Sequence, residues 1–205
     1  MCYLVNNKNK IDMANSSIVI FKITGNKNEV NELKEKLDFV VEKHKGAGYV
    51  SFAFLYEEYG FEYEKVAQFP LKCWIEGVSM EEDVLTVESE FAWCNDGIFE
   101  IFMRSVYPNL SVLYEEFEPN NIIYNTNDIE RVFFKNKYWL QWWNKDLFGW
   151  EFFESDEELF EFVNKFSDDG SVFHTLDEVN DYIKKLDEAD SGKYLVLKHI
   201  SYVND

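Results

Sequence analysis

The sequence predicts an α+β fold in which an antiparallel sheet carries two helices on one face and an aromatic-rich β/α extension follows. Six segments in the first 120 residues show apolar patterns, in the order strand, helix, strand, strand, helix, strand. The 205 residues are 46% hydrophobic and 18% aromatic, although the formal net charge is −19. A disordered acidic chain would lack these apolar side chains, so we expect a folded chain of one large or two small domains.

The first strand is predicted at 17–23, because its β-branched residues are apolar on both faces, as in the centre of a sheet. A helix is predicted over 27–44, where Val30, Leu33 and Leu37 recur at helical spacing. The aromatic and acidic residues 49–69 predict an irregular or short-strand region.

The second half of this region repeats the alternation of strand and helix. Residues 71–78 and 84–91 predict an antiparallel pair joined by an acidic turn. A helix is predicted over 96–107 and a strand over 110–117, each followed by a proline. The resulting βαββαβ order is that of the ferredoxin-like arrangement, in which two helices cover one face of a four-stranded antiparallel sheet.

The C-terminal third has a different character. Residues 131–144 and 149–153 predict two or three aromatic strands, and 193–202 predicts a closing strand. Between them a strand-helix pattern occurs twice at an offset of 20 residues, with helix starts at Ser155 and Thr175. Each start has a glutamate three residues later, which is the pattern of a capping box.

These patterns divide the chain into an N-terminal extension (1–16), a ferredoxin-like domain (17–128) and a C-terminal β/α extension (129–205). No run of 18 apolar residues occurs, so no membrane span is expected. The three cysteines form no CxxC pair and the N-terminus has no apolar signal core, which favours reduced thiols and a cytoplasmic location.

The negative charge is concentrated in one stretch. Residues 81–130 hold 12 acids and one base, a net of −11. Direct binding to nucleic acid is therefore disfavoured, since phosphate contacts need clustered Lys and Arg. Strand alternation predicts that acidic side chains of the sheet share a face that would attract a basic protein surface. The predicted residues of this face are Glu88, Glu90, Glu115, Glu116 and Glu118.

A second candidate surface is the tryptophan cluster Trp139, Trp142 and Trp143. Core packing is the simplest interpretation, and a partner or homodimer interface is the alternative, because Trp supplies large buried area in both settings. Base stacking would need a basic groove, which the local sequence hardly provides.

Catalytic motifs are not found. His44, His174 and His199 are far apart in sequence, and Cys73 and Cys94 fall on separate elements, so neither zinc ligation nor a nucleophile site is indicated. We therefore expect no enzyme activity, no cofactor and no bound metal. The alternative is a magnesium site on the sheet-face carboxylates.

Four segments resemble the ferredoxin-like domain of the plasmid- and phage-borne YubB family, over residues 13–120. They are Met13-Ala14-Asn15, the strand end Thr24-Gly25 with the following helix, the strand 85–93 ending in Ala-Trp, and Tyr107-Pro108-Asn109-Leu110. The resemblance implies a ferredoxin-like fold and an origin in mobile genetic elements. It brings no catalytic residues, and Cys94-Asn95-Asp96 replaces the Ser-Pro-Pro that usually follows the family's tryptophan.

Charge and resemblance together favour a non-enzymatic anti-defence protein of the anti-CRISPR kind, which would occupy a basic nucleic-acid-binding groove of a host protein. Two alternatives stay open. One is a metal-dependent enzyme that processes nucleotides, and the other is an acidic structural or assembly subunit whose charge maintains solubility.

Overall fold

The computed structural model describes residues 3–4, 16–67, 72–92, 95, 97–119, 123–145, 147–167, 170–189 and 192–200. The predictions that concern the rest of the N-terminal extension, Trp93, Cys94 and the end of the closing strand lie outside these ranges. The chain forms two compact units, divided between Phe134 and Lys135 rather than at the predicted 128/129 border. A two-residue strand, β1 (Tyr3–Leu4), belongs to the second unit.

The described residues of the first unit form a five-stranded antiparallel sheet. Its elements are β2 (Ser16–Thr24), α1 (Lys27–His44), α2 (Phe52–Glu58), a short 3-10 helix (Tyr63–Lys65), β3 (Cys73–Glu81), β4 (Val84–Ala92), α3 (Ile98–Val106), β5 (Ser111–Glu118) and β6 (Ile123–Thr126). The strand order is β3-β4-β2-β5-β6, and every neighbouring pair is antiparallel. The α+β class and the central place of the first long strand are thus confirmed.

The helices described in this unit pack on a single face of the sheet. Apolar residues of α1, α2 and α3 share one core with β2, β3 and β4, centred on the fully buried Phe21. The ring of Phe21 lies 4.6 Å from that of Phe99 and 6.4 Å from that of Phe52, measured between centroids. Such aromatic packing fixes the helix face of the sheet as the buried one.

Helix α2 corrects the prediction of an irregular region at 49–69. The side chain of Ser51 accepts a hydrogen bond from the backbone N–H of Ala53, and Phe52, Leu55 and Tyr56 are buried at helical spacing. The prediction rested on the aromatic and acidic content of the segment, but burial of one helical stripe outweighs the strand propensity of its aromatic residues.

In the second unit, the described residues form a sheet with the order β1-β8-β7-β9 and two helices. Its remaining elements are β7 (Tyr138–Asn144), β8 (Leu147–Phe153), α4 (Asp156–Phe166), α5 (Leu176–Glu188) and β9 (Lys193–His199). The apolar stripes of α4 and α5 pack with Tyr138, Leu140 and Trp142 of β7 in one core.

Both repeated helix starts have the predicted N-cap residue, and the second start also has the predicted capping box. Ser155 caps α4, and Thr175 forms a capping box with Glu178 at the start of α5. The strand predicted before the second helix is absent at the described residues 170–175. The backbone N–H of Phe173 instead donates a hydrogen bond to the side-chain oxygen of Asn164, at 2.7 Å, so it needs no neighbouring strand as a partner.

Among the described residues, no helix combines the length and the apolar composition that a membrane crossing requires.

Candidate functional site

The two faces of the five-stranded sheet differ in chemistry. Along β2, Ser17, Val19, Phe21 and Ile23 are buried on the helix side, whereas the alternate residues are partly exposed. We call the face opposite the helices the outer face. Because directly opposed residues of antiparallel strands lie on the same side of a sheet, the pairing with β2 assigns each residue of β4 and β5 to a face.

Glu88 and Glu90 lie on the outer face, as strand alternation predicts. Glu88 is paired with Ile20 and Glu90 with Ile18, both of which are partly exposed residues of β2. Glu88 is exposed and Glu90 is partly exposed. On the other side of β4, Glu90 is opposite Trp74 of β3.

Glu76 joins these two carboxylates, although the sequence did not single it out. The register between β3 and β4 shifts at a bulge between Ile75 and Gly77, where Glu76 is exposed. Partial burial of the Glu76 carboxyl, followed by the negative charge of Glu90, raises the pKa of Glu76 above its usual range. The antiparallel pair predicted for 71–78 and 84–91 was the signal that could have placed these carboxylates together.

We call Glu76, Glu88 and Glu90 the outer acidic cluster. Within the described part of the chain, none of the three carboxylates is within ion-pair distance of a Lys, Arg or His side chain. The outward-facing Lys22 of β2 donates a hydrogen bond to the hydroxyl of Thr86 instead, at 2.9 Å. The negative charge of the cluster is therefore not neutralised by these side chains.

Two aromatic rings border the cluster on the side of β3. Trp74 is partly exposed, and Tyr49 exposes 60% of its surface. The two rings meet edge to face with centroids 6.0 Å apart. Backbone pairing of Ser51 with Trp74 brings the segment that carries Tyr49 alongside β3. This part of the outer face therefore combines accessible aromatic rings with carboxylates.

Glu116 is not part of the outer face, contrary to the prediction. It is paired with Val19 on the helix side and is only 4% exposed. Its carboxylate accepts hydrogen bonds from the Ser17 hydroxyl at 2.8 Å, the Asn95 backbone N–H at 2.7 Å and the Asn125 side-chain amide at 3.3 Å. Three donors can replace water around a buried carboxylate, so Glu116 ties the loop before α3 to the sheet.

Glu115 and Glu118 are also buried, with exposures of 7% and 5%, so the prediction that they form an accessible acidic surface is wrong. The reason is strand β6, which the sequence patterns did not reveal and which pairs with β5 from Glu115 to Glu118. The hydroxyl of Tyr124, on β6, donates a hydrogen bond to the Glu115 carboxylate at 2.9 Å.

The three tryptophans of the predicted cluster, Trp139, Trp142 and Trp143, do not form one exposed surface. Trp142 belongs to the core under the helices. Its indole packs directly on Gly149, where a Cβ added to the glycine would lie only 2.5 Å from a ring carbon. Trp139 is on the opposite face of β7, 1% exposed, with its ring 5.8 Å from that of Phe152. Trp143 alone is partly exposed, and its ring lies 4.9 Å from that of Phe148.

No group of three or more His, Cys, Asp or Glu side chains in the described residues is arranged to hold a metal ion. Cys73 is buried in the core of the first unit. It is one of the two cysteines considered from the sequence for a nucleophile or a zinc site. No family model, curated protein or solved structure matches this chain.

Proposed function

We propose that this chain is a non-enzymatic binding protein, and that its outer acidic cluster engages a basic surface of another protein. The observation that carries the proposal is the un-neutralised group of Glu76, Glu88 and Glu90 on a rigid sheet, where partial burial and then the charge of Glu90 raise the pKa of Glu76. Like charges held close together repel, and an approaching cation relieves that repulsion. Complementary charge also raises the rate at which two proteins associate.

The setting of the proposal is a mobile genetic element. The resemblance of residues 13–120 to the YubB family supports it, as does the strand order of the first unit, because β5-β2-β4-β3 is the order of a ferredoxin-like sheet. In this setting the partner is a cytoplasmic host protein that handles or cuts nucleic acid, and the chain acts against a host defence. Carboxylates on a rigid sheet would occupy the groove that normally receives phosphates.

The test compares two triple variants of equal net charge. The face variant carries Glu76→Gln, Glu88→Gln and Glu90→Gln; the helix-side variant carries Glu35→Gln, Glu57→Gln and Glu64→Gln, which are exposed residues of α1, α2 and the 3-10 helix. Each protein is used to capture partners from a bacterial lysate at low and at high salt. We expect a basic protein to be retained at low salt by the wild type and the helix-side variant but not by the face variant.

Equal retention by the two variants would contradict the proposal, because it would mean that total charge rather than the outer face binds. Calorimetry with Mg²⁺ or Mn²⁺ separates the proposal from the alternative of a metal-dependent enzyme. We expect the wild type and the face variant to give the same heat with either metal. The enzyme alternative requires a heat of metal binding that the face variant loses.

A further inference from the structure

We infer that the outer acidic cluster receives an arginine side chain of the partner, stacked on the ring of Trp74. The inference rests on the proposed function and adds the chemistry of the contact. It draws on the aromatic rings beside the cluster, which charge attraction alone does not require.

The geometry places the ring of Trp74 beside two carboxylates. Trp74 is directly opposite Glu90 across the β3–β4 pair, and Glu76 follows two residues later on the same strand. Burial, and after it the negative charge of Glu90, raises the pKa of Glu76, in agreement with the closeness of the two positions in this hairpin. The rings of Tyr49 and Trp74 pack in a T-shaped arrangement, so Tyr49 supports the indole.

A guanidinium group suits this arrangement better than an ammonium group does. Arginine is planar and weakly hydrated, stacks on aromatic faces and offers five N–H donors in a fixed fork, so it can stack on Trp74 while donating to Glu76 and Glu90. Lysine is a strongly hydrated point charge that would satisfy the carboxylates but gain less from the ring. A base of a nucleic acid is disfavoured as the occupant, because the carboxylates would repel the backbone phosphates attached to it.

The experiment titrates the full chain with a short peptide of three arginines separated by glycines, and with the same peptide carrying lysines. Binding is followed through the indole N–H signals in nuclear magnetic resonance spectra, with the Trp74 signal assigned from the Trp74→Leu variant. We expect the arginine peptide to bind about fivefold more tightly than the lysine peptide. We also expect the Trp74 signal to move, and Trp74→Leu to remove the preference.

Tyr194→Leu is the matched control, because Tyr194 is an exposed aromatic residue of the other unit and its loss should leave the preference intact. If Trp74→Leu does not fold, Tyr49→Ser replaces it and should lower the preference, since Tyr49 supports the Trp74 ring.

Equal affinities for the two peptides, or a preference that Trp74→Leu or Tyr49→Ser leaves unchanged, would overturn the arginine inference and leave the proposed acidic surface standing. Equal binding of both peptides by the wild type and the face variant would overturn the proposed function as well. Tighter binding of a single-stranded oligonucleotide than of either peptide would also contradict both.

Discussion

Strands β4 and β5 both flank the central strand β2 and both carry glutamates, but their carboxylates have opposite roles. Glu88 and Glu90 of β4 lie on the outer face, exposed or partly exposed and without an ion-pair partner in the described residues. Glu115, Glu116 and Glu118 of β5 are more than nine-tenths buried. The difference follows from the neighbours of each strand. β5 pairs with β6, and its Glu116 accepts hydrogen bonds from Ser17 and Asn95. β4 pairs instead with β3, where Trp74 is opposite Glu90.

This contrast shows that the count of acids in a stretch does not measure the acidity of a surface. The segment 81–130 has a net charge of −11, but part of that charge holds strands together inside the fold. A carboxylate that accepts several hydrogen bonds replaces its water shell and stabilises the structure, whereas one on an open strand keeps its charge for a partner.

The largest expected effect is that of Glu116→Ala. The substitution leaves the Ser17 hydroxyl and the Asn95 backbone N–H without their acceptor, so we expect the free energy of unfolding to fall by about 3 kcal/mol. Glu88→Ala, on β4 at the other side of β2, should change it by no more than about 0.5 kcal/mol. Urea unfolding measures both, and similar losses in the two variants would refute the contrast between β4 and β5.

A smaller effect is expected for Tyr124→Phe. The change removes only the hydroxyl that donates to the buried Glu115 carboxylate, so a loss of about 1 kcal/mol is expected in the same unfolding measurement. Tyr194→Phe serves as a control, because that residue is exposed and should tolerate the change. No difference between the two variants would show that β6 does not supply a donor to β5.

The smallest expected effect has the opposite sign. Because burial and Glu90 raise the pKa of Glu76, the folded chain holds this proton more tightly than the unfolded chain does. The contribution of Glu76 to stability therefore falls as the pH rises from its unfolded pKa through its folded pKa. Glu76→Gln should stabilise the protein at pH 7 by about 0.5 kcal/mol, a value kept small because the side chain is exposed.

Unfolding at several pH values measures this effect. The gain from Glu76→Gln should disappear below the pKa of glutamate in the unfolded chain. A variant that is less stable than the wild type at pH 7 would contradict the electrostatic picture of the outer acidic cluster.

Much of the fold was predictable because local patterns were strong. Helix α1 occupies the predicted residues, since its apolar stripe and its cap at Asn26 agree. The pair β3–β4 was predictable because two strand patterns meet at a tight acidic turn. The outward position of Glu88 and Glu90 followed from strand alternation together with the apolar residues on the other face of β4, Leu85, Val87 and Phe91.

The errors lie where long-range contacts decide. Alternation showed which residues of β5 share a face. It did not show which of the two faces is covered by the helices. That depends on the register between β2 and β5, which pairs Glu116 with Val19 on the helix side. Strand β6 has four residues, too short for a clear pattern, and it buries part of β5. Glu76 was missed because a bulge changes the neighbours of a strand without changing its sequence pattern.

Carboxylate labelling tests the central claim most directly, because one reaction reports on both strands. The folded chain is treated with a water-soluble carbodiimide and an amine, alone and with the partner captured by the wild type, and labelled sites are identified by mass spectrometry. We predict labelling of Glu76, Glu88 and Glu90 in the free chain, no labelling of Glu116, and protection of those three sites by the partner while Glu35 and Glu57 stay reactive. Labelling of Glu116 as fast as that of Glu88, or protection of Glu35 and Glu57 without protection of Glu88 and Glu90, would contradict the account.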